Sequence, residues 1–296
     1  MLLFVRTTLL MGLLTSLLIL VAGAISMATG YDMGASILMA LIFAGAMNLL
    51  TYYYSDKIVL RMYGAKEVSE REYPRLHQTV SMLSAVASIP KPKVAVMEEA
   101  TPNAFATGRN PSNSVVVVTK GLLRLLREDE IEGVLGHEIA HIKHRDILIG
   151  TIAAVIASAI AYLALMGRFL LLFGGGNRER GSAMSLIGLF LIAFFVPIAA
   201  LMVRFAISRS EEYRADEEGA RITGKPEALA SALRKIESYV RGRPMSKGNP
   251  ATSHMFIVNP FRGESWSMFG LFSTHPPTHK RIERLMKIAR EMGRVP

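Results

Sequence analysis

Four long uncharged apolar segments dominate the sequence and limit the folds that it can adopt. They lie between Arg6 and Asp32, between Asp32 and Asp56, from Ile147 to Gly167, and from Ser182 to Val203. Each has about 20 residues or more, which is the length that an α-helix needs to cross the hydrocarbon core of a bilayer. We therefore predict a mostly α-helical membrane protein with four transmembrane helices.

Some of these segments have a second interpretation. The first segment begins after Arg6 and could be a cleaved signal peptide. Its apolar part is longer than the roughly 7–15 residues of a signal-peptide core, so we expect an uncleaved anchor. The third and fourth segments could form a buried or peripheral hairpin, although the length of both favours complete spans.

The positions of Lys and Arg predict the orientation of these helices. The net charge is +10, yet the Gly30-Tyr31 turn carries no basic residue and the loop of residues 174–181 carries only Arg178 and Arg180. Because basic residues stay on the cytosolic side, we place residues 57–146, residues 208–296 and both termini there, in a multi-pass protein of the cytoplasmic membrane. The charge follows this topology and no binding motif appears, which argues against a nucleic-acid partner.

The stretch His137-Glu138-Ile139-Ala140-His141 has the spacing of a metal site on a helix. Residues four apart share a helix face, so His137 and His141 can hold one metal ion. Glu138 can then take a proton from a water on that metal, as in zinc hydrolases. The chain has no cysteine, so any further ligand must be His, Asp or Glu. A chance match in an ordinary amphipathic helix is the alternative.

Two histidines leave a zinc ion short of a third protein ligand. His144 is about 10 Å of helix rise beyond His137, so we expect it to be solvated or to support the site from outside. The chain has His144 and Ile147 where metzincins have Gly and His, which excludes that class. Glu212 and Asp216 share a helix face, so Glu212 could bind the metal while Asp216 accepts the spare ring N–H of a histidine. A solvated acidic helix start explains these two residues equally well.

Three short runs before this helix predict strands: Lys93 to Met97, Ala104 to Thr107, and Ser114 to Thr119. The small β-sheet and the helices around it predict a cytosolic zincin-like α+β domain. Residues 103–107 are our candidate for an edge strand that pairs with an extended substrate. A purely structural hairpin is the competing interpretation.

The ordered set of motifs resembles the HtpX family of membrane zinc endopeptidases, which is related to the CAAX-processing membrane proteases. The similarity spans essentially the whole chain, including the four apolar segments. The motifs that carry it are residues 137–141, Glu212-Tyr213-Arg214-Ala215-Asp216, residues 102–108, residues 254–260, and Phe272-Ser273-Thr274-His275-Pro276-Pro277 with Arg281.

The resemblance implies a role for each matching residue. His137, His141 and Glu212 are expected to bind one Zn²⁺ per chain, with Glu138 as the catalytic base. Asn103 and Ala104 are expected on a substrate-pairing strand. His275 is expected to stabilise the oxyanion, with a helix-entry residue before Pro276 as the alternative, and Arg281 is expected to have a structural or site-ordering role.

The resemblance also implies protein or peptide substrates, among them membrane proteins, and a role in protein quality control and the stress response. A catalytically inactive metal-binding membrane scaffold is the alternative function, but such a site does not need the carboxylate of Glu138. The predicted organisation is a transmembrane hairpin (residues 1–56), the first part of the catalytic domain (57–146), a second hairpin (147–207) and the second part of that domain with the third ligand (208–296).

Overall fold

A computed structural model of the chain describes residues 2–158, 208–245, 250–261 and 276–295. These residues are mostly helical, with one small sheet, as predicted. In chain order the elements are α1 (Leu2–Thr29), α2 (Met33–Tyr63), β1 (Ala65–Glu67), α3 (Pro74–Ala87), β2 (Lys93–Met97), β3 (Ala104–Asn110), β4 (Asn113–Thr119), α4 (Lys120–Leu125), α5 (Glu128–His144), α6 (Asp146–Ser158), α7 (Arg209–Thr223), α8 (Pro226–Gly242), a 3₁₀ helix (Pro250–Met255) and α9 (Thr278–Glu291).

Helices α1 and α2 form the predicted N-terminal hairpin. Both are long and apolar enough to cross a membrane. Gly30 turns the chain with a φ of 76°, and the Asp32 side chain caps α2 by accepting a hydrogen bond of 2.7 Å from the Ala35 N–H. Asn48 on α2 donates a 3.1 Å hydrogen bond to the Thr15 hydroxyl on α1. Such polar pairs join helices where water is absent.

The two later apolar segments are described only in part. Residues 147–158 belong to α6, which is a shorter apolar helix. Residues 159–167 and the whole fourth segment lie outside the described residues. The described part of the chain therefore contains two candidate spans, and the prediction of four is not shown.

The sheet has the strand order β1-β2-β4-β3. Strands β2 and β4 are parallel, whereas β1 pairs with β2, and β3 with β4, in the antiparallel sense. The three predicted strands are confirmed, and β1 is a short strand that the sequence pattern did not indicate. Strand β3 lies at one edge of the sheet, as predicted for residues 103–107.

Each face of the sheet packs against a different layer. One face carries Val94, Val116 and Val118 into the main core, which α3, α5, α7, α8 and α9 complete. The other face packs Phe105 and Val117 against Val59 and Tyr63 of α2. Helix α2 thus continues beyond its apolar part into the fold, and it joins the hairpin directly to the sheet.

Candidate metal centre

Helix α5 carries the His-Glu-x-x-His stretch, and its ends are defined by local chemistry. Its first turn contains Glu128, Asp129 and Glu130, and the positive end of the helix dipole stabilises acidic side chains at this position. The Glu130 carboxylate accepts a 2.8 Å hydrogen bond from the Arg127 N–H. The helix ends because Arg145 adopts the left-handed conformation, with a φ of 62°. That residue reverses the chain, so that the next residue, Asp146, returns toward His141.

Three side chains from two helices converge at one point. The Nε2 atoms of His137 and His141 are 3.2 Å apart. Glu212 on α7 places Oε1 3.5 Å from the His141 Nε2 and Oε2 3.9 Å from the His137 Nε2. Two nitrogens that bind Zn²⁺ tetrahedrally are about 3.3 Å apart. His137, His141 and Glu212 are therefore spaced to hold a metal ion, and their ligand atoms lie within 4.8 Å of one another.

Carboxylates orient both imidazole rings from behind. The Nδ1 of His137 lies 3.0 Å from Asp216 Oδ1, and the Nδ1 of His141 lies 3.4 Å from Asp146 Oδ2. A carboxylate at Nδ1 selects the tautomer that leaves Nε2 free to bind metal. Arg214 in turn holds Asp146 through hydrogen bonds of 3.0 and 3.1 Å.

Arg281 on α9 is the buried cation of this region, with only 1% of its surface exposed. It donates to Asp216 twice, from Nε at 2.8 Å and from Nη2 at 2.7 Å, and its Nη1 donates to the Ile257 carbonyl at 2.8 Å. Such a forked pair holds a carboxylate in one orientation. Arg281 thereby links α9, α7 and the segment of residues 256–258.

The charges around the point of convergence suit a divalent cation. Four carboxylates surround it, those of Glu138, Asp146, Glu212 and Asp216, against the two guanidinium groups of Arg214 and Arg281. When all four acids are ionised, two negative charges remain. Nitrogen and oxygen ligands without sulfur, together with this charge, fit Zn²⁺.

Burial changes the proton affinities of the site. Burial, with the nearby charge of Glu212, raises the pKa of Glu138 to about 7, although the hydrogen bond from the Ala106 backbone opposes this. Burial lowers the pKa of His137 to about 4 despite its bond to Asp216. Burial also lowers that of His141, but Asp146 and Glu212 outweigh it and raise the pKa to about 10. Glu138 can therefore accept and release a proton near neutral pH.

Helices α5 and α7 approach each other closely through glycines. A Cβ on Gly219 would lie 2.8 Å from the His137 backbone nitrogen, and one on Gly136 would lie 2.5 Å from the Thr223 Cγ2. Gly219 faces backbone atoms, which cannot give way, so that position requires glycine, whereas a Cβ on Gly136 would displace the Thr223 side chain. This contact brings Glu212 within reach of the two histidines.

The other expected site residues lie in different surroundings. Asn103 and Ala104 are buried at the edge of the sheet, where the Asn103 amide donates to the Val258 carbonyl at 2.7 Å and Ala104 accepts from the Ile257 N–H at 3.1 Å. His144 lies in the last turn of α5 and is not one of the three converging residues. His275 lies outside the described residues.

A small cavity opens beside the converging side chains. Its volume is about 50 Å³, and it borders His137, Glu138, His141, Glu212, His254 and Phe256. That volume admits a few water molecules.

Sequence reasoning missed several contributors to this site. It did not single out Asp146, the glycine contact, or the pairing of Ile257 with Ala104. The only local signal was an acidic residue five positions after His141. The other contributors depend on segments that are distant in the chain.

Comparison with known proteins identifies the family of the chain. The sequence profile of Peptidase family M48 matches residues 70–289. The chain belongs to this family. Among curated relatives, the "Protease HtpX homolog" of Thermococcus kodakarensis is 55% identical over 292 residues, which is 98% of this chain and 97% of that protein. The "Protease HtpX homolog" of Pyrococcus abyssi is 56% identical over 293 residues, 98% of each chain.

This M48 peptidase is therefore a metalloprotease of the HtpX type, as the sequence motifs predicted, and its family implies a bound metal. Among solved structures, the crystal structure of S. mikatae Ste24p aligns with 95% of this chain and 65% of its own, at 16% identity and a TM-score of 0.48.

Proposed function

We propose that this M48 peptidase is a membrane-integral, zinc-dependent endopeptidase that hydrolyses peptide bonds of membrane or misfolded proteins at the cytosolic face. The observation that carries the proposal is the convergence of His137, His141 and Glu212 beside Glu138. In the proposed site these three residues hold one Zn²⁺ per chain. Zn²⁺ bound there would polarise a peptide carbonyl and acidify a water molecule.

The chain's own residues perform the remaining steps. Glu138 takes a proton from the attacking water onto its carboxylate and then delivers it to the nitrogen of the leaving amine. In the protein alone, burial raises the pKa of Glu138 to about 7, which favours the protonated form that delivers the proton. Asp216 and Asp146 keep the two imidazoles oriented, and Arg281 keeps Asp216 in place. His275 is the proposed stabiliser of the oxyanion, a role that rests on the family resemblance.

The substrate is proposed to bind as an extra strand along β3. That strand lies at the sheet edge, next to α5, and its Ala106 backbone already bonds Glu138. Backbone pairing at Asn103 and Ala104 would fix a peptide regardless of its side chains. The Ile257 N–H donates to the Ala104 carbonyl in the structure, so a bound peptide would replace Ile257 as the partner of that carbonyl.

The membrane placement rests on α1 and α2, and on the distribution of basic residues. Both helices are long and apolar enough to span a membrane. On α2, the large apolar side chains of Leu38, Ile42 and Phe43 are exposed, as side chains that contact lipid would be. With basic residues kept inside, both termini and the metal centre lie on the cytosolic side.

The test uses the full chain purified in detergent, with zinc content and casein cleavage as readouts. We expect about one zinc per chain, and loss of cleavage when a chelator removes it. Glu138→Gln should keep the zinc and lose cleavage by about 10²–10⁴-fold, because the proton acceptor is gone. Glu128→Gln, on the exposed first turn of the same helix, is the matched control and should cleave normally.

Full activity of Glu138→Gln would overturn the mechanism. A wild-type chain that binds zinc but cleaves nothing would instead support the inactive scaffold. Zinc retained by Glu212→Ala would show that another carboxylate is the third ligand.

A further inference from the structure

A second cavity lies between α2 and the sheet, and it shares no lining residue with the metal centre. Its volume is about 470 Å³. The C-terminal part of α2, the start of β2 and the β3–β4 hairpin form its walls. We call it the interfacial groove, and it is lined by Tyr53, Tyr54, Asp56, Lys57, Lys91, Lys93, Arg109, Ser112, Asn113, Ser114 and Val115.

The interfacial groove is strongly basic. It contains four cations and a single acid, Asp56. Lys91 and Lys93 are partly neutralised, because each pairs with a glutamate of a neighbouring segment. Lys57 and Arg109 have no carboxylate within 4 Å among the residues that the structure describes. They lie over aromatic rings instead, Lys57 at 5.3 Å from the Tyr54 ring centre and Arg109 at 5.2 Å from that of Tyr53.

The position of the groove along α2 sets its depth relative to a bilayer. From Met33 to Tyr53 the helix rises about 30 Å, which is the thickness of the hydrocarbon core. Leu49 and Leu50, one turn earlier, are exposed as lipid-facing residues are. Tyr53 and Tyr54 then fall where aromatic side chains collect at a membrane surface. The cations of the groove therefore face the lipid headgroups of the cytosolic leaflet.

We propose that the interfacial groove binds the phosphate of an anionic phospholipid, with Lys57 and Arg109 as its ligands. Arg109 offers a planar fork of donors that matches phosphate oxygens, and Lys57 offers a point charge on the other wall. The tyrosine rings hold both cations over the groove and leave their N–H groups free of carboxylates. This inference rests on the membrane placement proposed above, and it is independent of the proteolytic chemistry.

The test compares lipid binding by five forms of the full chain in detergent. They are the wild type, Lys57→Gln with Arg109→Gln, each of these two changes alone, and a control with Arg124→Gln and Arg234→Gln. Arg124 on α4 and Arg234 on α8 are exposed cations in the layer on the opposite face of the sheet. Native mass spectrometry measures the binding of phosphatidylglycerol, phosphatidylcholine and inorganic phosphate to each form.

We expect the wild type and the control to bind phosphatidylglycerol at least tenfold more tightly than phosphatidylcholine. The groove double variant should lose that preference, and each single variant should lose part of it. Unchanged preference in the double variant would overturn the proposal. Saturation by inorganic phosphate that displaces phosphatidylglycerol would also overturn it, because the site would then be one for the free ion.

Two further readouts separate this inference from the proposed function. All forms should keep their zinc and their casein cleavage in detergent, which shows that they are folded. Loss of cleavage in every form, with the lipid preference intact, would refute the protease and leave the groove standing. Release of the wild-type chain from membranes by alkaline carbonate would refute the membrane placement, and the lipid site with it.

Discussion

Gly219 on α7 rests against the backbone of His137 on α5, with no room between them for a side chain. A Cβ at Gly219 would lie 2.8 Å from the His137 nitrogen and 2.9 Å from the Gly136 carbonyl carbon. The helices that supply the two histidines and Glu212 therefore meet through backbone alone. The separation of these helices decides whether the three side chains can share one ion.

The first prediction is that Gly219→Ala weakens metal binding without altering any ligand. The added methyl group must push α7 away from α5, which costs about 1–3 kcal/mol for an overpacked interior and moves Glu212. We expect a lower thermal midpoint and less than one zinc per chain. Gly242→Ala is the control, because open space surrounds that glycine. Equal zinc content in Gly219→Ala and the wild type would contradict the proposed coupling.

The second prediction concerns Asp146, which lies behind His141. Asp146→Asn keeps the size of the side chain but weakens the acceptor that orients the imidazole. We expect a 10- to 100-fold loss of zinc affinity, measured by competition with a chelator. Asp129→Asn, in the first turn of α5 and paired at the surface with Arg127, should leave the affinity unchanged. If both variants bind zinc equally, Asp146 has no orienting role.

The third prediction concerns the buried ion pair of Arg281 and Asp216. Arg281→Met leaves a buried carboxylate without its partner, which costs about 3–5 kcal/mol. The thermal midpoint should fall sharply, whereas Arg290→Met, on the exposed face of α9, should change it little. The double variant Arg281→Met, Asp216→Asn should be more stable than Arg281→Met alone, because the stranded charge is removed. Additive losses would show that the two residues act separately.

The fourth prediction concerns pH. Glu138 must be ionised to take a proton, and burial raises its pKa to about 7 in the protein alone. A bound cation favours the charged form and lowers that pKa. The value of kcat/KM should therefore fall once the pH drops below the pKa of Glu138 in the zinc-loaded protein, which lies below 7, by up to tenfold per unit. Zinc content at each pH must be measured alongside, because protonated histidines release metal. The same fall at low pH in the residual activity of Glu138→Gln, with zinc retained, would exclude Glu138 as the group whose protonation lowers kcat/KM.

Much of the fold follows from local pattern. The β-branched run that became β4, bounded by turn residues, was predicted as a strand from Ser114 to Thr119, one residue short of its observed start. The spacing of His137 and His141 on α5 needed only the period of a helix. Residues 103–107 were the candidate for an edge strand, and the strand order places β3 at the edge of the sheet.

Other features could not be read from local pattern. Arg281 lies in a basic amphipathic helix, where a cation is ordinarily solvated, yet it is buried against Asp216 of α7 and the Ile257 carbonyl. Arg145 ends α5 in a left-handed conformation that residues other than glycine seldom adopt. Ile257, which is distant in the chain, donates a backbone hydrogen bond to the Ala104 carbonyl.

The sequence by itself determined the apolar hairpin, the strands, and a helix with two histidines on one face, because these depend on periodicity within a few residues. Only the tertiary structure decided which carboxylates join them. The glycine contact between α5 and α7 brings Glu212 and Asp216 close to the histidines. Because a buried charge is unfavourable unless it is paired, Arg281 forms an ion pair with Asp216 there. Such contacts depend on the distance between helices, which no local pattern encodes.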